Sequence, residues 1–170
     1  MKSWHSPFRP DLHLRDVLIK EYLVPSLQWL ADVNDHNSST VISTKIGSLW
    51  EAGYIILCLT KAKPILVNSQ ENFSGEFVKR ISGTTKFLVN NARSSQEEVN
   101  WDNGLFDTAV VTRALLNSLP FESDSEKKQQ LRLLAEKAVI WLGRVISNWE
   151  IDRYELSVID LAQILRTMLL

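Results

Sequence analysis

The sequence has few of the residues that hold a small domain together covalently or carry it into a membrane. Cys58 is the only cysteine among 170 residues, which excludes an internal disulfide. Its apolar surroundings, YIILCLTK, predict a small core residue in a reducing compartment. The opening MKSWHSPFRPDLH lacks the apolar core of a signal peptide, and no run approaches the roughly 18 apolar residues of a membrane span. We therefore expect a cytoplasmic protein with no membrane span.

An excess of charge of one sign is also missing. The chain has 19 Lys and Arg residues against 20 Asp and Glu residues, a formal net charge of −1 at pH 7. This balance favours neither nucleic acid nor an anionic membrane as a partner. The sequence has no phosphate loop, nucleotide fingerprint or nucleophile elbow. His5, Asp11, His13 and Asp16 could ligate a metal but lack the spacing of a known zinc site, so we expect no metal or other cofactor.

The sequence does contain the apolar periodicity of helices, separated by polar loops. An irregular arm over residues 1–10 precedes a predicted helix with a kink or break at Pro25. The further predicted helices are IGSLWEAGYIILCLTKA, EFVKRISGTTKFLVNNA, LFDTAVVTRALLNSL, EKKQQLRLLAEKAVIWLGRVISNW and LSVIDLAQILRTMLL. The segment KPILVNSQENFSG, with Pro64, and the segment RSSQEEVNWDNG are predicted to be connections. No segment competes as a strand, so the predicted class is all-α.

The helices repeat in pairs. Three first helices carry an aromatic residue followed by leucine, at Trp29, Phe87 and Trp141. Each is followed by a second helix that begins near an acid, at Glu51, Asp107 and Asp160, and successive acids are 56 and 53 residues apart. The pattern predicts three tandem α/α hairpins over residues 15–62, 73–118 and 126–170 in one domain spanning 1–170.

The polarity of the two helices in a hairpin predicts their positions. The last first helix has one apolar stripe, whereas second helices such as TAVVTRALL are apolar nearly all round. Second helices should therefore form an inner layer and first helices an outer layer, in a curved two-layer stack. The open ends of such a stack predict self-association or a protein partner.

The second hairpin carries a family resemblance. A first helix ending in KFLVNNA, a polar loop reaching Trp101 and an inner helix opening DTAVVTRALL resemble the repeat of the terpenoid cyclase and protein prenyltransferase α/α-toroid superfamily. The match is best over residues 77–118, weaker over 131–170 and weakest over 15–62. The resemblance implies a partial α/α toroid, since members with a full ring use more than three hairpins.

The catalytic residues of that superfamily are missing from this sequence. Its protonating cyclases carry an Asp-x-Asp-Asp string, which does not occur here. Its prenyltransferases hold zinc with an Asp, a Cys and a His, whereas Cys58 lies among aliphatic residues away from any histidine in sequence. We therefore expect no catalytic residue and no metal ligand.

The recurring acids have two interpretations. A carboxylate in the first turn of a helix is stabilised by the helix dipole, by about 0.3–1 kcal/mol, and the recurrence of Asp107 as Glu51 and Asp160 favours this structural role. Alternatively, the three acids line the mouth of a concave cavity and bind a ligand. Asp107→Asn with normal stability but lost binding would support the second interpretation.

Other candidate binding residues lie in or before the inner helices. Trp101 either fills the gap between hairpins, which we favour, or lines a ligand site. Arg113 and Arg166 each follow an acid by six residues, and either bond neighbouring carboxylates or form an anion site together. Gln163 belongs to a polar stripe on the last helix that must face water, a partner or a buried network.

The sequence thus predicts a non-catalytic α/α-repeat interaction module that binds a protein partner or a small ligand through its concave face. An apolar small molecule is one such ligand. The alternative is part of a terpenoid-cyclase-like or prenyltransferase-like enzyme whose remaining hairpins come from a second chain.

Overall fold

A computed structural model describes Glu21, Ser26 and residues 48–67, 74–148 and 158–169. The chain divides into two compact units, residues 1–35 and 36–170. In the first unit, Glu21 and Ser26 are exposed, and the predicted arm, first helix and candidate metal residues otherwise lie outside the described residues. The structure below is that of the second unit.

Five α-helices and one small two-stranded sheet make up the described part of this unit. The helices are α1 (Leu49–Val67), α2 (Ser74–Asn90), α3 (Leu105–Ser118), α4 (Ser125–Ser147) and α5 (Val158–Met168). The strands β1 (Arg93–Ser94) and β2 (Val99–Asn100) lie between α2 and α3, and a 3₁₀ turn over Leu119–Phe121 follows α3. The predicted all-α class is confirmed.

Helix α1 corrects one predicted boundary. The predicted connection began at Lys63, but the helix continues through Pro64 and ends at Val67. A proline removes one backbone hydrogen bond within a helix. Burial of Leu59 and Ala62 just before it stabilises the helical conformation, because tertiary packing outweighs local propensity.

Helix α3 lies at the centre of the unit. It packs against all four other helices, with α1 on one side and α5 on another. Helix α2 packs against α1 and α3, and α4 packs against α3 and more lightly against α5. The buried residues of α3 are Thr108, Ala109, Val110, Val111, Thr112, Ala114, Leu115 and Ser118. This burial explains why α3 is apolar nearly all round, while the curvature of the stack and its relation to a toroid stay predictions.

Small side chains let the three second helices approach closely. A β-carbon added at Gly53 of α1 would lie 2.9 Å from Val110 Cγ1 of α3. On the other side of α3, Ala109 forms a buried cluster with Trp141, Leu142 and Ile164. Thr167 Oγ1 of α5 donates a hydrogen bond to the carbonyl oxygen of Ala109 at 3.0 Å. Helices α1, α3 and α5 are thus held together by close packing.

The segment between α2 and α3 contains the small sheet, so the prediction that no strand forms was wrong. Strands β1 and β2 are antiparallel and pair Arg93 with Asn100 and Ser94 with Val99. The four residues 95–98 connect the two strands, and the pairing closes this loop just before Trp101. The sequence shows no alternation here because only Val99 of the paired residues is buried.

Cys58 corrects a second prediction, since its side chain is exposed and does not lie in the core. It follows Trp50 and Tyr54 at intervals of four residues along α1, and Trp50 is exposed as well. The apolar neighbours Leu57 and Leu59 are buried instead. Because the residues around Cys58 are nearly all apolar, the sequence did not distinguish this exposed position from the buried positions beside it.

Candidate functional site

Asp107 lies where two helices begin. It is in the first turn of α3, and the backbone N–H of Trp50, in the first turn of α1, hydrogen-bonds to its carboxyl group. The carboxylate also lies against Gly104, the N-cap of α3, where an added β-carbon would be 2.8 Å from Asp107 Oδ2. One carboxylate therefore contacts both helix starts, which accounts for its position without a ligand.

The surroundings of Asp107 shift the pKa of its carboxyl group. Burial raises the pKa of the Asp107 carboxyl group above its usual value. The hydrogen bond from the N–H of Trp50 opposes this rise, and the negative charge of Asp102 adds to it. The net direction is upward, so ionisation of the Asp107 carboxyl group is less favourable in the folded protein than in the unfolded chain.

Glu51 forms a capping box at the start of α1. Its Oε2 accepts a hydrogen bond from the Ser48 N–H at 3.0 Å, while its own N–H donates to Ser48 Oγ at 3.4 Å. Both bonds satisfy N–H groups that a helix start leaves without partners. The backbone of Asp160 lies in α5, and its side chain is outside the described part of the chain. A common ligand for the three acids therefore stays a prediction.

Trp101 is fully buried and joins α2 to α3. Its Nε1 donates a hydrogen bond to the carbonyl oxygen of Leu88 at 2.8 Å, and its backbone N–H donates to Thr108 Oγ1 at 3.1 Å. Asp102 and Asn103, which follow, have φ angles of 53° and 54°, so the chain turns sharply into α3. The single polar group of the Trp101 indole, its Nε1–H, is thus satisfied within the fold.

Arg113 is part of a hydrogen-bonded chain across three helices. Its Nη1 donates to Gln163 Oε1 of α5 at 2.5 Å, and Gln163 Nε2 donates to Tyr54 Oη of α1 at 3.1 Å. Sequence reasoning named Arg113 and Gln163 but did not pair them, and it missed Tyr54. The missed signal was positional, because Tyr54 follows Glu51 by three residues as Gln163 follows Asp160.

Arg166 lies close enough to Arg113 for the two positive charges to repel each other. Burial lowers the pKa of the Arg113 guanidinium, and the charge of Arg166 lowers it further, whereas Tyr54 has the opposite effect. Of the two side chains, Arg113 is half-buried and Arg166 is exposed. Among the side chains that the structure describes, neither arginine forms an ion pair with a carboxylate.

Three aromatic rings lie beside this polar chain. The rings of Trp50 and Tyr54 meet edge to face with centroids 5.8 Å apart, and Phe106 of α3 lies 5.9 Å from Trp50 and 6.4 Å from Tyr54. Trp50 is 37% exposed, while Tyr54 and Phe106 are half-buried. Phe106 and Arg113 are seven residues apart, and so they share one face of α3.

These contacts bring six side chains from α1, α3 and α5 onto one surface, which we call the aromatic–arginine face. Its members are Trp50, Tyr54, Phe106, Arg113, Gln163 and Arg166. The predicted residues Arg113, Gln163 and Arg166 belong to it, whereas Trp101 is buried away from it and Glu51 is engaged in its capping box. The face offers hydrogen-bond donors, positive charge and ring surface, but no nucleophile paired with a base.

The described residues offer neither a metal site nor a membrane-spanning helix. They contain no group of three or more His, Cys, Asp or Glu residues placed to hold a metal ion. None of the helices described is both long enough and apolar enough to cross a membrane. Comparison with models of known protein families, with curated proteins and with solved structures gives no match. The resemblance to the α/α-toroid superfamily therefore stays a prediction based on the repeat residues.

Proposed function

We propose that this chain is a non-catalytic helical-repeat interaction module that binds a protein partner through the aromatic–arginine face. The observation that carries this proposal is the hydrogen-bonded link from Arg113 through Gln163 to Tyr54, whose ring meets the exposed ring of Trp50. Neither Arg113 nor Arg166 has a carboxylate partner among the described side chains. Tryptophan, tyrosine and arginine are the residues most enriched among those that dominate binding energy at protein interfaces.

The organisation of the face fits docking better than catalysis. Gln163 bonds to both Arg113 and Tyr54, so these side chains are held in place before a partner arrives. Such preorganisation lowers the entropy cost of binding. The half-buried rings of Tyr54 and Phe106 surround Trp50 and provide an apolar centre, with the arginines beside it.

A photo-crosslinking experiment tests the proposal. A photoreactive phenylalanine analogue replaces Trp50 in one variant and Leu133, an exposed residue of α4, in a matched control. After irradiation in an extract of cells that express the full chain, we expect one covalent adduct of defined mass from position 50 and none of that mass from position 133. Adding Arg166→Gln should reduce this adduct at least about tenfold.

The adduct's composition separates the possible outcomes. An adduct made only of two copies of this chain would contradict a separate protein partner and assign the face to self-association. Equal adducts from both positions would contradict a specific face. No adduct from position 50 across a concentration series would contradict the proposed function.

A further inference from the structure

We propose that the group recognised beside the aromatic residues is a single doubly charged phosphoryl group on an aromatic stem, as in a phosphorylated tyrosine side chain of the partner. This inference rests on the proposed function, because it names the chemistry of the partner's docking group. Arg113 and Arg166 bind the phosphoryl oxygens, Tyr54 adds a hydroxyl donor, and Trp50 contacts the stem.

The charge of the face favours a dianion over a carboxylate. Arg113 and Arg166 place two positive charges close together, and no described carboxylate neutralises either. One carboxylate carries a single negative charge, whereas a phosphate monoester carries about −1.5 to −2 at pH 7 together with three strong acceptor oxygens. A phosphoryl group can therefore neutralise both arginines at once.

The hydrogen bonds of the face leave its donors available. A guanidinium has five N–H donors, and Arg113 uses one of its nitrogens, Nη1, to bond Gln163 Oε1. Tyr54 Oη accepts from Gln163 Nε2, so its own hydroxyl proton can be donated to a ligand. Gln163 is a positioning residue, since its amide oxygen accepts from Arg113 and its amide nitrogen donates to Tyr54.

A polyanion fits this surface poorly. Nucleic acids are bound through extended stripes of Lys and Arg that neutralise many phosphates. Here two arginines lie beside three aromatic rings, and the whole chain has a net charge of −1. The arrangement matches one phosphoryl group next to one ring, which can pack against the exposed part of Trp50.

NMR titration of the full chain with phenyl phosphate tests this assignment. We expect saturable shifts of the Nε–H signals of Arg113 and Arg166 and of the Trp50 indole N–H, with benzoate and inorganic phosphate each binding at least about tenfold more weakly. Because the second pKa of a phosphate monoester is about 6, affinity should fall as the pH is lowered from about 7.5 to about 5.

Substitutions give the specificity control. Arg113→Gln and Arg166→Gln should each weaken phenyl phosphate binding at least tenfold, whereas Arg132→Gln, an exposed arginine of α4, should leave it unchanged. If Arg113→Gln impairs folding, the exposed Arg166→Gln still carries the test. Equal binding of benzoate, equal binding of inorganic phosphate, or an equal loss in Arg132→Gln would overturn the assignment.

The two proposals fail in different ways. A partner adduct at position 50 without phenyl phosphate binding overturns the phosphoryl assignment and leaves the interaction module intact. Phenyl phosphate binding without an adduct contradicts the protein partner, and the site is then one for a free aromatic phosphate.

Discussion

Asp107 illustrates how one residue can serve two helices. Its carboxylate contacts the start of α1 through the N–H of Trp50 and lies against Gly104 at the start of α3. Each helix start has N–H groups without partners inside its own helix. The recurrence of the acid in the sequence thus reflects, at this position, a junction between neighbouring hairpins. A β-carbon at position 104 would displace the Asp107 carboxylate from this junction, because it would lie 2.8 Å from Oδ2.

The raised pKa of Asp107 gives a prediction for the pH dependence of stability. The folded protein keeps the Asp107 proton at pH values where the unfolded chain has already lost it. The stability contributed by the protonated form is therefore present below the ordinary carboxyl pKa and is lost as the pH rises through the raised pKa. Asp107→Asn removes this loss. Urea unfolding should show the variant gaining stability relative to the original protein between about pH 3 and about pH 7.

The exposed Glu136→Gln on α4 is the control for a lost carboxylate, and it should show a smaller change over the same range. Asp107→Asn less stable by the same amount at every pH would contradict the prediction. That result would mean that the hydrogen bond from Trp50 balances the cost of burial, so that the pKa of Asp107 is not raised.

At the scale of the element, close approach of α1 to α3 depends on the residue at position 53. A β-carbon there would lie 2.9 Å from Val110 Cγ1, and Val110 is fully buried. Overpacking of this kind typically costs about 1–3 kcal/mol, which exceeds the gain of about 1 kcal/mol from replacing a helical glycine by alanine. We expect Gly53→Ala to lower the free energy of unfolding by about 1 kcal/mol, as measured by urea unfolding.

Gly83 of α2 supplies the matched control, because a β-carbon there meets nothing within 4 Å. Gly83→Ala should raise the free energy of unfolding by roughly 0.5–1 kcal/mol through helix propensity alone. Stabilisation of both variants would contradict a close contact between Gly53 of α1 and Val110 of α3.

The sequence predicted the type and order of these elements because the apolar period of a helix is a local property. The described helices follow that period, and the repeat identified α1, α3 and α5 as equivalent. The helical boundary at Pro64 and the exposure of Cys58 were predicted wrongly, since both depend on which face of α1 meets its neighbours. When the neighbouring residues are all apolar, the local sequence does not indicate which side of the helix is buried.

The candidate site was only partly predictable for the same reason. Arg113 and Arg166 were named from their positions in the repeat, and Gln163 was named from a polar stripe on the last helix. The link from Gln163 to Tyr54, however, joins residues 109 positions apart in sequence. Phe106 gave no separate signal because an aromatic residue at a helix start most often packs in a core. The aromatic–arginine face therefore became visible only in three dimensions.

At the scale of the whole molecule, α5 presents an exposed apolar flank. Leu165, Met168 and Leu169 are 56%, 44% and 85% exposed. Ile164 and Thr167, on the opposite side of the helix, are buried against the rest of the unit. An apolar flank of this kind on a helical repeat is typical of a surface that another helix covers.

We expect this flank to support self-association. Light scattering across a concentration series should give a solution mass that rises above that of one chain, and the double substitution Leu165→Glu and Leu169→Glu should return it to the monomer. The control is Leu133→Glu with Ile140→Glu, which adds the same charge to exposed apolar residues of α4. A monomer at every concentration of the unaltered protein would sink the prediction.

The side-chain amide of Gln163 couples binding at the aromatic–arginine face to the contacts between α1, α3 and α5. It is bonded to Arg113 on one helix and Tyr54 on another, so any occupant that reorients Arg113 also alters what holds α5 to α1. Linkage makes this relation reciprocal: the occupant changes the stability of the helix layer by the same free energy by which a change in the layer alters the occupant's affinity. The protein with an empty face and the protein with an occupied face would then differ in how readily α5 separates from its neighbours. Local opening of α5 would therefore indicate whether the face is occupied.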